Sequence, residues 1–223
     1  MNRSSACFTF SFLALLTLGL SFQALAQDPV RFQKEVDEIR AKYPPNRQRD
    51  DLILFTGSSS VRMWKDLQSY FPDHEIVNAG FGGSQTFELL HYVNELILDY
   101  KPKKVFIYEG DNDISSGKSS VQILLSMHEL VNTIHESLPD TEILLISAKP
   151  SISRWHLAEQ YRDLNKHFEE YSELFKYVEY VNVWDIMLDK DGKPRTDIFL
   201  EDKLHMNKTG YDLWAEVVKS YMD

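Results

Sequence analysis

Short apolar runs rich in β-branched and aromatic residues recur along the chain, separated by longer stretches with helical spacing. The runs are 52–56, 75–78, 104–108, 142–147 and 177–182, and the helical stretches are 61–70, 86–100, 121–138, 155–175 and 209–222. Runs that are apolar throughout, rather than at alternate positions, belong to strands covered on both faces. Alternation of such strands with helices predicts a parallel sheet held between two helical layers. The expected fold is α/β, a three-layer α/β/α domain on a parallel five-stranded sheet. Ahead of it, residues 29–43 have the pattern of an amphipathic helix stopped by Pro44 and Pro45, so 27–50 reads as a lead-in helix and linker and 51–223 as the domain.

Residues 1–26 are a different kind of sequence. Arg3 is followed by an apolar stretch from Phe8 to Leu20, then by Ala24-Leu25-Ala26, the order of a secretory signal with its small-residue cleavage site. The expectation is export, to the periplasm or beyond, after cleavage near Ala26; a retained anchor is the alternative. No later apolar stretch approaches the roughly 20 residues of a spanning helix, so no stable membrane insertion is expected after cleavage. Cys7 is the single cysteine and would leave with the signal, removing disulfides, a thiol nucleophile and thiolate metal sites from consideration. The 34 acidic residues outnumber the 24 basic ones, for a formal charge of -10. With no Lys/Arg cluster, that balance argues against nucleic acid as a partner. Oligomeric state is not legible.

In an open parallel sheet, ligands bind at loops leaving the carboxyl ends of the strands. Those loops carry Gly57-Ser58-Ser59-Ser60, Gly80-Phe81-Gly82-Gly83 and Gly110-Asp111-Asn112-Asp113, and the loop entering the last helix carries Asp202-Lys203-Leu204-His205. A serine hydroxyl needs an adjacent base, usually His, and a carboxylate to orient that base. Asp202 and His205 are close enough in sequence to share one turn. The serines follow a strand and precede a helix, the setting of a nucleophile exposed on a sharp turn; capping the helix is their competing role. Val61 stands where the usual Gly-x-Ser-x-Gly elbow has its second glycine. Gly83 and Asn112 could supply donors for a developing oxyanion.

Taken in order, these blocks resemble those of the SGNH (GDSL-type) hydrolases, from about Leu52 to the end of the chain. The resemblance implies a flavodoxin-like sheet and ester hydrolysis through an acyl-enzyme. By position it implies Ser59 as nucleophile, His205 as base and Asp202 as its orienting acid. The implied oxyanion donors are the N–H groups of Ser59 and Gly83 and the side chain of Asn112. Two positions depart from the family pattern: Ser58 stands where Asp is usual and Met206 where Pro is common.

Other motifs fail. His128-Glu129 lacks the second His of a zinc helix, because residue 132 is Asn132. Asp111, Asp113 and Ser115 open like a calcium loop, but Ser116 and Gln122 replace its glycine and final Glu. Gln85 falls where a dinucleotide fingerprint needs its third glycine. No cofactor or metal is expected. The functional expectation is an exported serine esterase acting on a small-molecule or oligosaccharide ester, with an acetylated carbohydrate first; Trp64, Trp155 and Trp184 would suit such a substrate, and core packing is their competing role. The alternatives are a lysophospholipase or thioesterase, and a non-catalytic glycan-binding protein.

Overall fold

The computed structural model describes residues 28–47 and 51–222. The proposed signal segment, its cleavage site and Cys7 lie outside the described residues. In chain order the elements are α1 (Gln33–Lys42), β1 (Leu52–Gly57), α2 (Ser59–Arg62), α3 (Leu67–Tyr70), β2 (Glu75–Gly80), α4 (Thr86–His91), α5 (Val93–Leu96), β3 (Lys104–Tyr108), α6 (Asp111–Ser115), α7 (Ser120–Ser137), β4 (Glu142–Ile146), α8 (Ala158–Leu174), β5 (Val178–Val181) and α9 (Lys208–Val218). The strands form one sheet in the order β2-β1-β3-β4-β5, and every pairing is parallel. This is the flavodoxin-like order.

Alternation along each strand builds two cores. Leu52 and Leu54 of β1 join Val105, Ile107, Ile143 and Leu145 on the face covered by α1, α4, α5, α7 and α8. Ile53 and Phe55 join Phe106, Leu144 and Ile146 on the opposite face, under α2, α3 and α9. In α7 the buried residues Ile123, Met127, Leu130, Val131 and Ile134 form one helical stripe, and Ser119 and Gln122 close its N-terminus as a capping box.

Two expected helices are broken, each for a tertiary reason. The stretch 61–70 splits into α2 and α3 because Asn78 of β2 donates Nδ2 to the carbonyls of Val61 (2.8 Å) and Trp64 (3.1 Å). Trp64, 1% exposed, is thereby set against Phe55, Tyr211 and Trp214. The stretch 86–100 divides at Tyr92, which is buried against Phe81 with its hydroxyl donating to the Pro29 carbonyl. The first residues of the 29–43 stretch form a 3-10 turn (Pro29–Phe32) before α1. That segment is more than a tether. Phe32, Val36 and Ile39 enter the first core, and Arg31 grips the fully buried Glu88 carboxylate through Nε (2.6 Å) and Nη2 (2.8 Å).

At the carboxyl end of β1 the chain turns sharply. Gly57 has φ +113, and a Cβ there would lie 2.1 Å from the Tyr108 carbonyl oxygen. Gly57→Ala therefore meets both a disfavoured backbone region and a backbone wall, and an expected loss of about 3 kcal/mol or more should appear as a lowered urea midpoint. An unchanged midpoint would show that the approach is not tight.

Candidate active site

Ser58 and Ser60 are 2% and 3% exposed, whereas Ser59, the first residue of α2, opens toward the sheet edge. Of the serines in the block, Ser59 is the one whose hydroxyl meets an imidazole, with Oγ 3.0 Å from His205 Nε2. The opposite ring nitrogen, Nδ1, lies 2.6 Å from Asp202 Oδ2. Asp202 Oδ1 also accepts the backbone N–H groups of Leu204 and His205, both at 2.9 Å. Hydroxyl, imidazole and carboxylate thus form one hydrogen-bonded series between residues 146 positions apart.

Partial desolvation works against the Asp202 carboxylate. The hydrogen bond from His205 and those from the two backbone N–H groups outweigh it and hold the carboxyl at about 2. The group is therefore anionic at every pH at which the protein would ordinarily work. The tautomer this favours carries its proton on Nδ1, which leaves Nε2 as the acceptor facing Ser59.

The expected donors lie on the neighbouring loops. Gly83 is exposed, and among the described residues a Cβ placed on it would meet only Asn112 Nδ2, at 3.8 Å, so the two positions flank the same open space. Asn112, in α6, gives one amide proton to the Ser84 carbonyl at 2.9 Å and has a second to offer. As the first residue of α2, Ser59 has a backbone N–H with no intrahelical acceptor.

Sequence reasoning missed a buried polar layer beneath these loops. Asp111, 5% exposed, receives Tyr108 Oη at 3.0 Å and is bonded by Tyr161 and Arg154. Lys149, whose side chain is fully buried, lies 3.8 Å from it. Burial would raise the Asp111 carboxyl, but Lys149, Arg154 and the Tyr161 hydroxyl together hold it below its ordinary value. The available signal was Lys149 itself, a charged residue just past the carboxyl end of β4 on the ligand-binding edge.

Glu109 is also fully buried; Ser84 Oγ lies 2.6 Å from its Oε1, and Oε2 has no hydrogen-bond partner among the described residues. Desolvation, with the nearby Asp113 charge adding to it, pushes its carboxyl well above the ordinary value. A neutral Glu109 stabilises the fold fully below the ordinary glutamate value, and that contribution is lost as pH rises through the folded-state value. The stability of Glu109→Gln relative to wild type should therefore improve from pH 5 to pH 8, by up to about 1.4 kcal/mol per pH unit. Urea denaturation across that range measures it, and a constant difference would contradict it.

Of the two readings of the tryptophans, core packing holds for Trp64 and Trp184. Trp155 is half-buried, stacked 6.0 Å from Trp184 with Arg162 and Lys193 close to its ring.

A flavodoxin-like sheet whose carboxyl edge carries this series beside a glycine and an asparagine defines an SGNH-type hydrolase. The chain belongs to the GDSL-like lipase/acylhydrolase family, whose model matches residues 48–213, and with that family goes hydrolytic activity on esters. Among solved structures it is similar to a Streptococcus pneumonia protein named after platelet activating factor: 27% identity, TM-score 0.77, covering 86% of this chain and 95% of that one. A GDSL-like lipase from Bacteroides thetaiotaomicron shares the fold at 16% identity and TM-score 0.70, covering 87% and 97%. So does a mutant acetyl-xylooligosaccharide esterase from Geobacillus, at 15% identity and TM-score 0.64, covering 77% and 94%. A search of curated proteins returned no match.

Proposed function

We propose that the protein is an exported serine esterase that removes small acyl groups, acetyl first, from carbohydrate alcohols. The observation that carries the catalytic part is the 3.0 Å approach of Ser59 Oγ to His205 Nε2, with Asp202 2.6 Å behind the ring. In the proposed reaction Ser59 Oγ attacks the ester carbonyl as its proton passes to Nε2. The oxyanion is met by the N–H groups of Ser59 and Gly83 and by the Asn112 amide. Collapse breaks the bond to the alcohol, which takes the proton from Nε2. Water then gives a proton to the same nitrogen, attacks the acyl-serine carbonyl and releases the acid, and Oγ recovers its proton.

Preference for a neutral alcohol is in keeping with the chain's net negative charge, and for a small acyl group with the exposed Gly83 beside Asn112. The acetyl-xylooligosaccharide activity of the Geobacillus structural neighbour is in keeping with a carbohydrate substrate. The proposed export rests on the Arg3 to Ala26 segment alone. Acetyl, butyryl and octanoyl p-nitrophenyl esters, followed by a set of acetylated oligosaccharides, test the substrate. Acetate release from the sugars with kcat/KM falling along the acyl series is the expected result. A preference for octanoyl, or for a lysophospholipid or acyl thioester, would overturn it. For localisation, mass spectrometry of the exported protein should find a mature N-terminus at Gln27.

A further inference from the structure

We infer that Arg154 is a positioning residue that locks the Asn112 amide in its donating orientation; this rests on the reading of Asn112 as an oxyanion donor. Arg154 lies on the segment between β4 and α8, outside the blocks that carry the family resemblance. Its Nη1 and Nη2 each lie 3.2 Å from Asn112 Oδ1. The guanidinium is itself anchored: Nη1 is bonded to the Asp111 carboxylate and lies 3.3 Å from the Asp111 carbonyl. Its side chain is only 18% exposed and that of Asp111 6%, so water competes weakly for either group.

The consequence follows from the donor inventory of an amide. One side of the Asn112 amide faces two guanidinium N–H donors, and the other faces the Ser84 carbonyl at 2.9 Å. A flipped amide would set NH₂ against the guanidinium and oxygen against that carbonyl, two repulsive pairings in place of two attractive ones. Without Arg154, only the Ser84 contact would oppose the flip, and a flipped amide turns an acceptor toward the oxyanion. The cation on Oδ1 also polarises the amide and strengthens the remaining N–H as a donor.

The same segment reaches the other half of the site. Lys149 Nζ donates to the Leu204 carbonyl at 2.8 Å, and the Ser153 N–H donates to the Lys203 carbonyl at 3.1 Å. Lys203 has φ +57, a left-handed position inside the Asp202–His205 turn. One connection thus braces both the proposed oxyanion donor and the loop bearing the proposed acid and base.

A double-mutant cycle tests the assignment, with kcat and KM for p-nitrophenyl acetate read separately. Arg154→Ala should lower kcat by about 10- to 50-fold with KM within about 3-fold, because the lost orientation matters most when the oxyanion forms. In an Asn112→Ala background the same change should cost less than about 3-fold, since there is no amide left to orient. Arg154→Lys keeps the charge but not the two-donor fork, and should recover only part of kcat; added guanidinium ion should restore part of the activity of Arg154→Ala. An equal kcat loss in both backgrounds, whether from misfolding or from an independent role, overturns the inference, as does an Arg154→Ala enzyme with wild-type kcat. If Asn112→Ala alone leaves kcat unchanged, the oxyanion reading itself falls and this inference with it.

Discussion

Hydrolysis of p-nitrophenyl acetate by the Ser59→Ala variant should be slower than wild type by about 10⁴-fold or more in kcat/KM. The expectation has a geometric basis. Ser58 and Ser60 are buried, so neither can take over the hydroxyl that stands 3.0 Å from His205 Nε2. The residual rate should come from the oxyanion donors acting on directly attacking water. Mass spectrometry separates chemistry from mere binding: an organophosphonate should add one phosphonyl group to wild type, at Ser59, and none to Ser59→Ala. Thermal melting should change little, because the variant loses only a hydroxyl at a partly open position. Equal hydrolysis by both proteins would place the nucleophile elsewhere. Absence of hydrolysis by either, across the ester panel, would favour the non-catalytic glycan-binding alternative.

The second large effect is expected from Asp202→Asn, a loss of about 10⁴-fold in kcat at neutral pH. In wild type the carboxylate, 2.6 Å from Nδ1, holds the proton on that nitrogen and leaves Nε2 free to accept from Ser59. An amide can instead donate to Nδ1, which favours the opposite tautomer and turns Nε2 into a donor toward the nucleophile. Because the Asp202 carboxyl sits at about 2, it stays ionised over the working range. Loss of the Asp202 charge should therefore not limit activity over that range. The stabilising contribution of Asp202 itself is present above the ordinary aspartate value and lost only as pH drops from there toward about 2. A variant within 10-fold of wild type would show that the carboxylate does not set the tautomer.

The layered fold was legible because it depends on local pattern. Strands apolar on both faces can be satisfied only inside a sandwich of helices, and Leu52 to Phe55 divide between two cores as that pattern requires. The breaks in the expected helices were not legible. They depend on Asn78 claiming the carbonyls of Val61 and Trp64, and on Tyr92 finding room beside Phe81 and Pro29. Intrinsic helical preference is worth only tenths of a kcal/mol per residue, so a buried polar contact or aromatic packing overrides it.

The candidate site divides along the same line. Local spacing was enough to put Asp202 and His205 in one turn, and to place Ser59, Gly83 and Asn112 on loops at a common sheet edge. Choosing Ser59 over its neighbours required the family resemblance at the level of sequence, and burial and the distance to His205 at the level of structure. Arg154, Lys149 and Glu109 had no motif to announce them, since each acts through partners brought near only by folding. Short-range backbone geometry sets periodicity and loop position, so the order of residues is enough to say which chemical groups can reach one edge of a parallel sheet. Which of those groups touch, and which way the Asn112 amide faces, is set by folding. Those are distances between segments far apart in the chain, and in a buried layer they depend on which donors and charges find partners there.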